Sequence, residues 1–370
     1  MKTIIQVVQH LRPGGIETLV LDLLAFSQAD ETTIIVSLEG ELESAIEAWP
    51  KLAPYRDRLI FVNKTPGLTP SLIFTLAKLF KKLNAHAIHT HHIGPLLYAG
   101  FAARLSSIKH LIHTEHDAWH LNDKKRCLLQ RFVIKAVRPT LVADAKTVAN
   151  QMQLKLQCAN KINVIHNGIN SQLFIPGDQC LARQGLNLPQ HVTLIGCSGR
   201  MEVVKGQSVL LHALTALPDN IHLAFAGGGS TEQQLQALAL KLGINKRVHF
   251  LGRLDNMPIF YQALDIFCLP SLNEGFPLSP LEAQSCNIKT LVTDVGASKE
   301  TLCPESGQFV IADNAQEMAR TLLSMLQDHK TYQPREFVKQ HGEVRTMAQA
   351  YASLRFVGNN KAAILGDSRL

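Results

Sequence analysis

The sequence predicts an α/β protein built from two doubly wound domains, each a parallel sheet covered by helices. Three observations predict it. Short β-branched runs alternate with helix-like stretches along the chain. The length, 370 residues, suits two ordinary domains better than one. A turn-rich break from His166-Asn167-Gly168 to Pro176-Gly177 divides the alternation. Before the break, strands are expected at 3–9, 32–38, 59–62, 87–90, 110–113, 140–143 and 161–165. After it they are expected at 193–197, 222–226, 248–251, 266–269, 290–293 and 308–311. Strands that alternate with helices pair in parallel through right-handed crossovers. Thirteen strands exceed the roughly ten that one open sheet accommodates, so the sequence divides into 1–168 and 169–342. The tail, 358–370, carries little to anchor it.

Composition excludes several classes. With 46% hydrophobic and 18% charged residues, the chain is neither disordered, collagen-like nor a disulfide miniprotein. Its seven cysteines are scattered, with no C-x-x-C pair, which fits reduced thiols in a cytosol. The apolar run at the start is broken by Gln6, Gln9 and His10, so it reads as a first strand and not as a secretory signal. No stretch approaches the ~20 apolar residues of a membrane span. Charge is uneven. Residues 1–170 hold 20 Lys+Arg against 13 Asp+Glu, whereas residues 171–370 hold 17 of each. The whole excess of cations lies in the first half, as suits a basic face meeting an acidic partner.

Ligands of open α/β sheets bind at the carboxyl ends of strands, so the strand-to-loop junctions are the places to search. Arg12-Pro13-Gly14-Gly15-Ile16-Glu17 follows the first strand, and its paired glycines fit a tight turn or a close backbone approach to a ligand. Gly199 to Gly206 contains Arg200 and Lys205, a planar fork and a point charge that could both reach a diphosphate. The third segment, 270–283, contains Glu274-Gly275-Phe276-Pro277 and Glu282. There Ser279 is expected as an N-cap, Pro280 as the first helical residue and Glu282 as the partner in a capping box. Histidines cluster at His89, His91 and His92 and again in His113-Thr114-Glu115-His116, with His120 beyond. His116 and His120 stand one helical turn apart, but the H-E-x-x-H zinc spacing is absent. A polar or acid–base role for His116 fits better, since imidazole titrates near neutrality.

Taken together, these residues resemble the family-four glycosyltransferases, retaining enzymes of the GT-B fold. The resemblance rests on Val164 to Asn170 with Phe174, Gly199-Arg200 with Lys205-Gly206, and Ala226-Gly227-Gly228-Gly229. It continues through 248–252, 265–271, Glu274-Gly275-Phe276-Pro277 to Glu282-Ala283, and Asp294-Val295-Gly296 with Glu300. Gly14 to Glu17, His89-Thr90-His91 and His113 to His116 are similar to the family's looser motifs in the first half. Two departures stand out: Asn170 where the family usually has Asp, and Asp144-Ala145 where a Ser is common.

The resemblance implies two Rossmann-like domains facing across a cleft, the first binding the acceptor and the second the nucleotide sugar, with a helix at 343–357 returning to the first. It implies transfer of a sugar from a nucleotide diphosphate sugar, UDP by family frequency, to a hydroxyl of a lipid-linked or membrane-borne glycan in surface polysaccharide assembly. A nucleotide-sugar epimerase of the same fold and a non-catalytic nucleotide-sugar-binding module are the alternatives. By carry-over, Arg200 and Lys205 meet the diphosphate, Glu282 the ribose, Glu274 the sugar and His116 the acceptor or the sugar's 6-hydroxyl. Gly15, Gly275, Phe276, Pro277 and Leu278 line the phosphate and sugar, and Arg253 lies along the base. No D-x-D pair is present, so no metal and no cofactor is expected, the nucleotide sugar being a co-substrate. No nucleic-acid partner is expected. The amphipathic basic stretch 71–82, extended by Lys124-Lys125-Arg126, Arg131, Lys135 and Arg138, suits the anionic inner face of the cell membrane. The expected location is therefore cytoplasmic and peripheral to that membrane.

Overall fold

The computed structural model describes residues 1–157 and 161–355. The tail 358–370, the last two residues of the expected helix 343–357, and Cys158 lie outside the described residues. Two compact units emerge. Unit 1 holds Met1–Asp144, Ala149–Ile165 and the segment from Arg345 onward; unit 2 holds Ala145–Val148 and His166–Val344.

Unit 1 begins with β1 (Lys2–Val8), α1 (Gly15–Ala25), β2 (Glu31–Ser37), α2 (Leu42–Ala48), β3 (Leu59–Phe61), α3 (Ser71–Lys82) and β4 (Ala85–His91). It continues with α4 (Ile93–Leu105), β5 (His110–Glu115), α5 (Lys124–Val137), β6 (Thr140–Ala143), α6 (Lys146–Leu156), whose first turn belongs to unit 2, and β7 (Asn163–Val164). The seven strands pair in parallel in the order β3-β2-β1-β4-β5-β6-β7. Helices cover both faces, so central strands are apolar on both sides. Ile4, Ile5, Val7 and Val8 of β1 are all buried.

Unit 2 holds α7 (Gln179–Gly185), β8 (Thr193–Ser198), α8 (Gln207–Leu214), β9 (Ile221–Ala226), α9 (Glu232–Lys241), β10 (Val248–Phe250) and α10 (Met257–Gln262). Then follow β11 (Ile266–Leu269), α11 (Ser279–Ser285), β12 (Lys289–Thr293), β13 (Gln308–Val310), α12 (Ala315–Gln327) and α13 (Pro334–His341). The six strands are parallel, in the order β10-β9-β8-β11-β12-β13. The core packs Ile195, Leu223 and Phe225 of the sheet against Leu210 and Leu211 of α8 and Met318, Leu322 and Met325 of α12. The spacing of those α12 residues is one stripe of a helix. Asn314 starts α12 by accepting the Glu317 N–H at 3.0 Å.

The last helix, α14 (Val344–Leu354), runs from the end of unit 2 into unit 1. Within unit 1, the Tyr351 hydroxyl lies 3.1 Å from the Thr114 hydroxyl. Arg355 donates to Glu31 at 2.9 Å and 2.5 Å, a buried two-pronged ion pair. All thirteen expected strands form, the last of unit 1 shortened to Asn163–Val164.

Candidate active site

In a doubly wound sheet, the ligand crevice opens where the strand order reverses. In unit 2 that point lies between neighbours β8 and β11, because the chain winds outward from β8 through β9 to β10 and from β11 through β12 to β13. The loops leaving β8 and β11 carry Arg200, Lys205 and Glu274.

These loops interlock. Lys205 ends a short 3-10 turn (Val203–Lys205) and places its ammonium 2.6 Å from Glu274 Oε1. The Ser271 hydroxyl donates to the same oxygen at 2.6 Å, and Glu274 is buried. The Leu272 N–H donates to the Val204 carbonyl at 2.8 Å, tying one loop to the other. The loop after β9 closes in from the other side: a Cβ on Gly227 would stand 2.0 Å from the Gly199 carbonyl oxygen, and Gly227 has a φ of +134. The loop after β12 is as close, since a Cβ on Gly296 would stand 1.9 Å from the Glu274 carbonyl oxygen. Arg200, by contrast, is exposed. One cation, Lys205, is therefore held by a carboxylate at the switch point, and Arg200 stands exposed on the same loop.

Glu282 departs from the capping-box expectation. Leu278 is the N-cap of α11, makes no side-chain cap bond, and leaves Ser279 as the first helical residue. Glu282 instead accepts from the buried Tyr261 hydroxyl at 2.5 Å, and that hydroxyl also lies 2.9 Å from Ser198 Oγ. Burial, then the Glu282 charge, pushes the Tyr261 phenol well above its ordinary range, so it stays a donor. Sequence reasoning missed Tyr261, Ser198 and Ser271, which orient the two glutamates. Gly275 is half-buried, Phe276 and Pro277 are buried, and Leu278 is half-buried. Phe276 stacks on His166 with ring centres 5.3 Å apart. Arg253 is exposed on the loop after β10.

Glu300 anchors a further corner of unit 2. It accepts the N–H groups of Lys146 and Thr147 at 2.8 Å and the Thr147 hydroxyl at 2.6 Å, with His166 3.3 Å away. Burial pushes its carboxyl up, but His166 and the Thr147 and Lys146 donors outweigh that and bring it to about 2. A carboxyl depressed in the folded state contributes stability above its ordinary 4.5 and loses it as pH falls through that value toward about 2. The gap in melting temperature between wild type and Glu300→Gln is thus expected to be open at neutral pH and to close across that window. A gap that persists at pH of about 2 would contradict the assignment.

Unit 1 has its own switch point between β1 and β4. Gly15 opens α1 there, and a Cβ on it would meet nothing. His116, just past β5, is buried at 6% exposure. Its Nε2 is 3.0 Å from His91 Nδ1, and its Nδ1 is 3.4 Å from Asp144. His91 Nε2 in turn is 3.0 Å from Gln6 Oε1. Burial, with His89 and His116 beside it, holds His91 well below the ordinary imidazole range. A neutral His91 that donates to Gln6 must accept at Nδ1, so His116 donates from Nε2. His120 lies apart, in a 3-10 turn (Trp119–Asn122) and 2.6 Å from Gln130, so the two histidines do not share a helical face. Glu115 is buried among His113, His92 and Gln130. Burial raises its carboxyl, and the bonds from His113 and His92 outweigh that to hold it well below the usual range. No group of three or more metal-ligating side chains forms among the described residues.

Two family models match the chain in succession: the Glycosyltransferase Family 4 model over residues 13–173 and the Glycosyl transferases group 1 model over 178–340. The chain belongs to glycosyltransferase family 4. Among its relatives, a D-inositol 3-phosphate glycosyltransferase of Mycolicibacterium gilvum is 38% identical over 143 residues, 37% of this chain and 32% of the relative. The lipopolysaccharide core biosynthesis mannosyltransferase LpsB of Rhizobium meliloti is 30% identical over 216 residues, 54% of this chain and 58% of the relative. The matched stretch thus spans only a third to three-fifths of these relatives. The fold of this family-4 chain is similar to that of a glycosyltransferase from Rickettsia africae, with a TM-score of 0.83 at 20% identity, covering 97% of this chain and 99% of that one. Anabaena Alr3699/HepE, solved in complex with UDP, also gives 0.83 at 20% identity, covering 95% and 99%. Both likenesses span the pair of parallel sheets seen here, which together make the GT-B fold.

A cavity of about 420 Å³ lies at the opposite, amino ends of β8, β11 and β12, lined by Thr193, Ile266, Lys289 and Tyr332. Lys289 already donates to the carbonyls of Met325 and Asp328, and the exposed Lys330 also lines the cavity.

Proposed function

We propose that this family-4 chain transfers a sugar, with its anomeric configuration kept, from a nucleotide diphosphate sugar bound in unit 2 to a hydroxyl of a lipid-linked or membrane-borne glycan. One observation carries the reading: Lys205 and Glu274 meet 2.6 Å apart at the β8/β11 switch point, with Arg200 exposed on the loop that bears Lys205.

As the glycosyl–phosphate bond breaks, positive charge grows on the sugar and negative charge on the departing diphosphate. Lys205 and Arg200 oppose the second, and preorganised charge of this kind is the largest catalytic contribution such a site can make. The helix α11 has only seven residues, so its macrodipole adds less than the two cations. Glu274, held by Ser271 and Lys205, faces the sugar. Glu282, oriented by Tyr261, takes the ribose hydroxyls. Arg253 lies along the base. Backbone N–H groups of Phe276 and Leu278 and the turn Gly275 to Pro277 complete the phosphate and sugar contacts of unit 2. No cofactor or metal enters this scheme. His116 is proposed to serve the hydroxyl acceptor, which requires it to exchange its contact with His91 or Asp144 for one with the ligand.

The donor is proposed as a UDP-sugar, supported by the complexes of HepE with UDP and with UDP-glucose. The glycan acceptor and a place in surface polysaccharide assembly are supported by LpsB, named for lipopolysaccharide core biosynthesis. A second reading, a soluble inositol phosphate acceptor, is favoured by the name of the 38% identical relative. Melting-temperature screening against UDP, GDP, ADP and their sugars in EDTA tests the donor, since a ligand of the folded state raises stability by mass action. A rise with one nucleotide supports the reading, and no rise with any would overturn it. Acceptor assays with inositol phosphate and with lipid-linked glycan separate the two acceptors.

A further inference from the structure

Beyond β5 the chain passes through Asp117 and Ala118 into the 3-10 turn Trp119–Asn122, at the carboxyl end of the unit 1 sheet. Of the two tryptophans, Trp49 is buried and Trp119 is 41% exposed. Exposure alone assigns nothing to a single indole; its neighbours do. The turn is pinned at both ends. Asp117 Oδ1 accepts the Trp119 N–H at 3.2 Å. The Lys155 ammonium is committed to Asn122 Oδ1 at 2.7 Å and to the Ala118 carbonyl at 3.4 Å.

Asp117 Oδ2 stands 3.9 Å from His92 Nε2, and these side chains are 22% and 30% exposed. That gap is too long for a hydrogen bond, yet one hydroxyl oxygen can stand about 2.8 Å from both atoms. His92 is held on its other side, where Nδ1 lies 3.3 Å from the buried Glu115 carboxylate. Its backbone keeps a φ of +65, a strained value for a side chain other than glycine. Burial lowers the basicity of this imidazole, but the Glu115 bond and the Glu115 and Asp117 charges outweigh it, so both nitrogens carry protons. His120 Nδ1 lies 3.6 Å from the other Asp117 oxygen, and the same two acids raise it against burial. Two carboxylates and two imidazoliums therefore balance. A group bridging His92 and Asp117 must accept from the first and donate to the second. A hydroxyl does both. An ionised phosphate only accepts and is repelled by Asp117, whereas an ammonium only donates and is repelled by His92. A pyranose carries such hydroxyls on its rim and has an apolar C–H face that suits an aromatic ring.

We propose that Trp119 is the stacking platform for a neutral pyranose ring of the acceptor, with one sugar hydroxyl bridging His92 Nε2 and Asp117 Oδ2. This platform rests on the glycan acceptor proposed above and narrows it to an uncharged sugar, against the inositol phosphate alternative. All of its residues belong to unit 1.

The test titrates the full chain with methyl β-glucopyranoside, methyl β-galactopyranoside, methyl α-mannopyranoside and, separately, inositol 3-phosphate. Binding is read from the emission of Trp49→Phe, which leaves Trp119 as the sole tryptophan, and from saturation-transfer NMR on the wild type. At least one glycoside is expected to shift the emission and saturate, and inositol 3-phosphate is expected to leave it unchanged. By NMR, Trp119→Ala should weaken glycoside binding about tenfold and Trp119→Phe only about twofold. His92→Asn keeps a residue that tolerates positive φ and should weaken binding about tenfold by removing the charged donor. Unchanged melting temperatures show that these variants fold. Absence of glycoside binding would overturn the proposal, as would a shift by inositol 3-phosphate as strong as that by any glycoside. Glycoside binding that Trp119→Ala leaves intact would remove the platform and leave the glycan acceptor standing. Because these titrations need no donor, failure of the nucleotide screen leaves their result unaffected.

Discussion

Lys205→Ala is expected to slow sugar transfer about 10²–10³-fold, the cost of removing one preorganised group aimed at developing charge. The loss should appear in donor turnover more than in folding, because Lys205 is a partly exposed member of a pair whose other partner, Glu274, keeps the Ser271 hydroxyl. Lys205→Arg should recover only part of the rate, since a guanidinium fork does not occupy the position of a compact ammonium. Release of nucleotide followed under saturating donor, with calorimetric melting as the folding control, checks both statements. Near-wild-type transfer by Lys205→Ala would remove the charge clamp from the mechanism.

Gly296→Ala is expected to destabilise unit 2 by roughly 3 kcal/mol and to displace Glu274. Two physical effects act together. The residue holds a φ of +54, a region that side chains other than glycine rarely occupy, and the added methyl would stand 1.9 Å from the Glu274 carbonyl oxygen. The Ala297 N–H donates to the Gly275 carbonyl at 2.9 Å in the same turn, so backbone movement there moves the segment that bears Glu274. Denaturant unfolding of wild type and variant measures the first effect, and donor affinity the second. A variant as stable as wild type would mean that the loop yields without cost.

The fold was legible because the inner strands are short β-branched or apolar runs buried on both faces, and such runs need no knowledge of their partners. Lys289–Thr293 and Ile266–Leu269 are of this kind. The two halves of the switch point were legible separately, as Arg200 with Lys205 and as Glu274 with Glu282. Their contact was not, because Lys205 and Glu274 are 69 residues apart and meet only through the adjacency of β8 and β11. Tyr261 was illegible for the same reason, its bond to Glu282 crossing between two helices. The helix-cap reading of Ser279 and Glu282 followed a sound local rule, but a buried phenol that needed an acceptor drew Glu282 away from the cap. His116 and His120 looked like neighbours on a helix, whereas the chain there leaves β5 as a loop and a 3-10 turn. The chain Gln6–His91–His116 could not be read at all, since β1, β4 and the residue after β5 assemble it from positions up to 85 residues apart in a single contact.

A crystal structure of the protein with UDP, grown in EDTA, puts the assignment of the donor site to its most direct test. The diphosphate is expected within hydrogen-bonding reach of Lys205 Nζ and the Arg200 guanidinium, about 3 Å, with the ribose hydroxyls on Glu282. A nucleotide bound elsewhere in unit 2, or seen only when a divalent ion bridges it to the protein, would contradict the account.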